Sequence, residues 1–99
     1  MPASPSPALP DLVLYTSAAC TLCDDAREAI HQALTERRAT GHMVPALREV
    51  DIAADPALEE EYRERIPVVT LGNERLETVF GVRRVARLME RVLDGVPAS

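Results

Sequence analysis

Cys20 and Cys23 are the only cysteines of the chain, with Thr21 and Leu22 between them. Three residues is nearly one helical turn. Thiols that close can form a disulfide with each other, exchange one with another molecule, or supply half of a tetrahedral metal site. The last option needs further ligands, and His31 and His42 are the only histidines. Eleven residues along a helix from Cys20, His31 stands about 16 Å away at 1.5 Å per residue, too far to share a metal with it. An intermolecular metal site stays open, as does a plain packing role, since free cysteines behave as small hydrophobes.

The segments around the pair decide which chemistry is available. Leu12-Val13-Leu14-Tyr15, stopped by Thr16-Ser17, is too short for a helix and suits a strand covered on both faces. From Cys20 onward Leu22, Ala26, Ala29, Ile30, Ala33 and Leu34 fall on one helical stripe, with Asp25, Glu28, Gln32 and Glu36 opposite. Arg37 and Arg38 suit the negative end of this helix, and Gly41 suits the left-handed turn that closes it near Ala39. The pair therefore sits between a strand and a helix. There Cys20 meets unpaired N–H groups and the positive end of the dipole, which stabilise a thiolate, while Cys23 is placed to attack a mixed disulfide formed on Cys20. Asp24 and Asp25 work against that thiolate, and the first cation, Arg27, comes only later. A Cys20 less acidic than that of strongly oxidising dithiols is expected.

Beyond the helix, Ala46 to Ile52 mixes apolar residues with Arg48, Glu49 and Asp51 as an edge strand does. Asp55-Pro56 caps a short helix whose Glu59 and Glu61 stand four residues before Arg63 and Arg65. Pro67 to Leu71 and Arg75 to Phe80 flank Gly72-Asn73 as a hairpin. Val82, Val85, Ala86, Met89, Val92 and Leu93 mark a last helix ended by Gly95 and Pro97. The fold class is α/β: one four-stranded mixed sheet in the order β-α-β-α-β-β-α, with helices on both faces and a right-handed crossover between the first two strands. Should the first hairpin arm pair antiparallel to the first strand, Pro67 falls beside Cys20.

Composition bounds the rest. Ninety-nine residues make one domain. Met1 to Pro10, with four of the eight prolines, reads as a disordered tail, leaving 11–99 as the domain. The 16 acidic residues outweigh 11 basic ones, all arginine, for a net charge of -5, which repels a phosphate backbone and argues against a nucleic-acid partner. No apolar run approaches the roughly 18 residues of a membrane span, and no charged-then-apolar signal segment opens the chain, so a cytoplasmic protein with no membrane partner is expected.

Tyr15-Thr16-Ser17-Ala18-Ala19-Cys20-Thr21-Leu22-Cys23-Asp24 and Arg65-Ile66-Pro67-Val68-Val69 together resemble the thioredoxin superfamily, specifically its small glutaredoxin-like proteins. The resemblance covers nearly the whole chain after Pro10. It implies a thioredoxin-like fold, a cis Pro67, catalysis by Cys20 and Cys23, and substrate contact through Thr21, Leu22, Pro67 and the backbone of Ile66 by strand addition. It departs from typical glutaredoxins where Arg65-Ile66 replaces Thr-Val and where Phe80-Gly81-Val82-Arg83-Arg84 replaces a Gly-Gly followed by acidic residues. Those departures argue against efficient glutathione use, although Arg65 or Arg83 could meet a carboxylate.

The expectation is a monomeric thiol-disulfide oxidoreductase that needs no bound cofactor or metal. It would reduce a disulfide-containing protein or a small thiol substrate and be regenerated by a separate reductant. The alternatives are a carrier in which Cys20 holds an iron–sulfur cluster or another soft metal, and an adaptor whose cysteines have only residual reactivity.

Overall fold

The computed structural model describes residues 9–78 and 80–95. The expected tail falls, for residues 1–8, outside the described residues, as do Val79 and Pro97. The chain runs β1 (Leu12–Thr16), α1 (Thr21–Ala39), β2 (Leu47–Asp51), a single 3-10 turn (Ile52–Ala54), α2 (Pro56–Tyr62), β3 (Val68–Leu71), β4 (Glu74–Glu77) and α3 (Val82–Leu93). One sheet has the order β2-β1-β3-β4, with β1 parallel to β2 and antiparallel to β3, the arrangement expected of a thioredoxin-like fold. Among the described residues no helix is long and apolar enough to cross a membrane.

Alternation along the strands sorts the core into two layers. Leu12, Leu14, Val69 and Leu71 face α1 and α3, packing on Ala26, Ile30, Ala33, Val85, Leu88 and Met89. Tyr15 and Val68 face the other way, onto Ile52 and the α2 residues Leu58 and Tyr62. The Tyr15 and Tyr62 rings stack with centroids 4.7 Å apart, tying α2 to the end of β1. Gly72 takes φ 59 at the first position of the two-residue hairpin, where a left-handed conformation matches the twist of β3 and β4.

The structure corrects the sequence reading at four places. Leu22 does not belong to the buried stripe of α1; it is 45% exposed, and Cys23 begins the stripe instead. β2 ends at Asp51 rather than Ile52, because the Asp51 carboxylate accepts the Ala53 N–H at 2.9 Å and turns the chain into the 3-10 turn. β4 ends at Glu77, and Thr78 leaves the sheet with φ 67. The spacing of Glu59 and Glu61 to Arg63 and Arg65 is not used on one helix, since α2 stops at Tyr62; Arg65 lies 3.9 Å from Glu77.

α1 and α3 end together. Arg37 in the last turn of α1 donates to both Asp94 oxygens at 2.9 and 2.7 Å, and its Nε donates to the Met43 carbonyl at 2.6 Å. The N-termini of both helices therefore lie at the other end, where the cysteines are. The Arg37 side chain is only 9% exposed and that of Asp94 23%. The guanidinium holds the Asp94 carboxyl below its ordinary range through those hydrogen bonds, with burial opposing. Asp94→Asn should cost about 1–2 kcal/mol, because it leaves the Arg37 charge largely buried without a counter-ion. A depressed carboxyl contributes fully above its unfolded value of about 4 and loses that contribution as pH falls through the folded value. Urea unfolding of the two proteins should therefore converge on acidification below about pH 4, and a gap unchanged there would refute the assignment.

Candidate functional site

Cys20 and Cys23 are joined as a disulfide, with Cα atoms 5.3 Å apart. Cys20 is the N-cap of α1, with extended backbone, and the Cys23 N–H donates to its Sγ at 3.2 Å. The Cys20 N–H itself donates to Ser17 O at 3.2 Å, closing the turn that follows β1. A sulfur thus stands where Ser, Thr or Asp usually caps a helix, and the same N–H that meets it in the disulfide can stabilise a thiolate there. The two sulfurs differ in access: Cys20 is half-buried, whereas Cys23 is 1% exposed beneath the helix. An incoming molecule can reach Cys20, and Cys23 can reach only Cys20.

Ile66–Pro67 is cis, as the resemblance implied, and Pro67 is fully buried. Tyr15 pairs with Val68, so continuing the antiparallel register places Pro67 opposite Thr16, at the strand end from which the chain turns into Cys20. The segment is held from two sides. The Thr78 N–H donates both to Pro67 O at 2.8 Å and to Arg65 O at 3.0 Å, and Tyr62 O accepts the N–H groups of Arg65 and Ile66 at 2.8 and 3.0 Å. The Ile66 N–H is therefore already used within the chain, and among the described residues no donor meets the Ile66 carbonyl. Strand addition at Ile66 would fall to that carbonyl. Thr78 holds its place in the left-handed region, where a β-branched residue is strained by about 1–2 kcal/mol.

Of the other expected contacts, Thr21 is exposed at the first position of α1, Leu22 projects beside the pair, and Ile66 is half-buried on the α2 side. His31 and His42 are both exposed, and His42 bonds the Thr40 hydroxyl at 2.9 Å in the loop after α1. No three His, Cys, Asp or Glu side chains among the described residues converge as metal ligands. A cleft of about 380 Å³ between α1 and α3, lined by Arg37, Thr40 and Asp94, lies at the far end of both helices and not at the cysteines.

Two features of the site escape sequence reading. Thr78 carries no local signal of a left-handed turn, because the residue that tolerates one is usually Gly or Asn. Arg27, one turn after Cys23, binds Asp24 and also Glu49 of β2, a contact set by strand register that the sequence does not display.

A family model described as glutaredoxin-like domain (DUF836) matches residues 11–93. The X-ray structure of XcR50, a Northeast Structural Genomics target protein from X. campestris, is 36% identical, covers 87% of this chain and 99% of its own, and superposes with a TM-score of 0.64. No curated protein matches.

Proposed function

The chain belongs to the glutaredoxin-like domain family, and from that premise we propose that it is a dithiol–disulfide oxidoreductase that reduces disulfides with the Cys20–Cys23 couple. Family membership and the joined pair support a thiol redox role. The observation that carries the finer reading is the asymmetry of the pair: a half-buried Cys20 Sγ at a helix N-terminus, over a buried Cys23.

The chemistry follows from that geometry. The Cys20 thiolate attacks one sulfur of a substrate disulfide, and the other sulfur departs as a thiolate that takes up a proton. Cys23, deprotonated, then attacks Cys20 Sγ, the second substrate sulfur leaves, and the Cys20–Cys23 disulfide forms. Two electrons pass to the substrate, and an external dithiol or thiol reductant restores the pair. In graded dithiol–disulfide buffers, intact mass should show one reversible two-electron transition with a midpoint within about −270 to −120 mV. A protein that forms no intramolecular disulfide in any of these buffers is not this enzyme.

Leu22 supplies the apolar contact for the substrate. Covering the part of its side chain that is exposed contributes about 1 kcal/mol at ~25 cal/mol per Å². Leu22→Ser should raise KM for a protein disulfide about three- to tenfold with kcat unchanged, and leave a small hydrophilic disulfide unaffected. Equal losses on both substrates would mean that the residue acts on the cysteines and not on docking.

A further inference from the structure

Arg27 stands between two carboxylates from separate elements. Its Nη1 donates to Asp24 Oδ1 at 2.8 Å, and its Nε donates to the two Glu49 oxygens at 2.9 and 3.0 Å, with Nη2 2.8 Å from Glu49 Oε1. Glu49 is on β2, opposite Leu14 of β1. Asp24 lies in the first turn of α1, the turn that Cys20 caps. The carboxylate in the first turn is thus held by a cation whose larger share of bonds goes to the neighbouring strand.

We propose that Arg27 is a positioning residue of the redox site, a counter-ion divided between Asp24 and Glu49 whose division sets how readily Cys20 gives up its proton. The inference rests on the dithiol reading above. Three charges, two negative and one positive, leave the group at −1 beside the N-terminus of α1. Removing the Glu49 charge makes the group neutral and frees the guanidinium to serve Asp24 alone, which favours the Cys20 thiolate. Removing the Arg27 charge leaves two bare carboxylates, which disfavours it. The guanidinium stays protonated throughout, held above its already high ordinary value by Glu49 first and Asp24 second. Further charges at this end, among them Asp25 on α1, Asp51 at the end of β2 opposite Thr16, Arg65 before β3, Glu77 at the end of β4 and Arg83 and Arg84 in the first turn of α3, remain the same in every variant compared.

A structural tether between α1 and β2 would also explain the contacts, so the test uses sign. Either Arg27→Met or Glu49→Gln breaks the tether and would lower stability alike, but the two have opposite effects on the thiolate. The reduced full-length protein is alkylated with iodoacetamide across pH, with Cys20 resolved from Cys23 by peptide mass. At pH below the Cys20 midpoint, Glu49→Gln should speed alkylation about twofold and Arg27→Met slow it about twofold, since the charges are partly exposed and the more acidic thiolate is intrinsically less nucleophilic. Arg27→Lys should stay near the wild type, and the opposed effects should shrink at high salt. The redox midpoint should move with them, Glu49→Gln becoming more oxidising and Arg27→Met more reducing. Changes of the same sign, or none, overturn the inference while leaving the dithiol reading intact. Should Arg27→Met fail to fold, the sign of Glu49→Gln alone decides. A wild type without a reversible disulfide would instead remove the reading on which the proposal rests.

Discussion

Cys20→Ser should lose turnover of a disulfide substrate to background, a fall of about a thousandfold or more, whereas Cys23→Ser should complete one attack and remain joined to its substrate. The two effects differ in kind because the two sulfurs differ in access. Cys20 caps α1 and is the half-buried member of the pair, with the Cys23 N–H aimed at its Sγ. A serine hydroxyl there offers no anion at neutral pH, so no first attack takes place. Cys23 is 1% exposed and is joined to Cys20. Without it, the mixed disulfide on Cys20 has no internal thiolate to displace it and waits for an external thiol. Intact mass after mixing with a protein disulfide should show a covalent adduct for Cys23→Ser, none for Cys20→Ser, and only a transient one for the wild type. An adduct on Cys20→Ser would reverse the assigned roles.

How much of this was legible in the residues depends on whether a signal is local. The apolar run of β1, the stripe of α1 from Ala26 to Ala33, the Asp55-Pro56 start of α2 and the Gly72 turn are local patterns, and each stands where the sequence places it. Topology puts Pro67 near the end of β1, and the resemblance implies its cis bond. What could not be read depends on tertiary neighbours. Leu22 fits the helical period of α1 but lies in its first turn, beyond the sheet that buries the rest of that face. β4 stops early because Thr78 turns to donate to Pro67 and Arg65, a bond that exists only once β3 is in place. Glu49 reads as an edge-strand charge that discourages pairing. Only the parallel register of β1 and β2, with α1 laid across them, shows that it takes hold of Arg27.

The largest loss of stability should come from Phe80, which the sequence places at the end of a strand and the structure places in the core between that strand and α3. It is the only Phe of the chain, is 6% exposed, and packs with Leu76, Val85, Leu88 and Met89 among the residues of the main core. Truncation to Ala removes the ring and leaves a void that the sheet and α3 cannot fully close, at about 3–5 kcal/mol. For a domain of this size, each kcal/mol corresponds to roughly 4–8 °C, so Tm should fall by about 12–40 °C. The urea midpoint should fall with an unchanged slope, since the surface exposed on unfolding is nearly the same. The loss should also reach the site. Phe80 anchors the chain two residues after Thr78, whose N–H holds Pro67 and Arg65. Weakening that anchor loosens the clamp on the Pro67 segment before the domain unfolds. At a temperature where Phe80→Ala is still folded by far-UV circular dichroism, its KM for a protein disulfide should rise while the alkylation rate of Cys20 stays that of the wild type. A faster or slower Cys20 in that variant would mean that Phe80 supports the helix cap and not the proline segment.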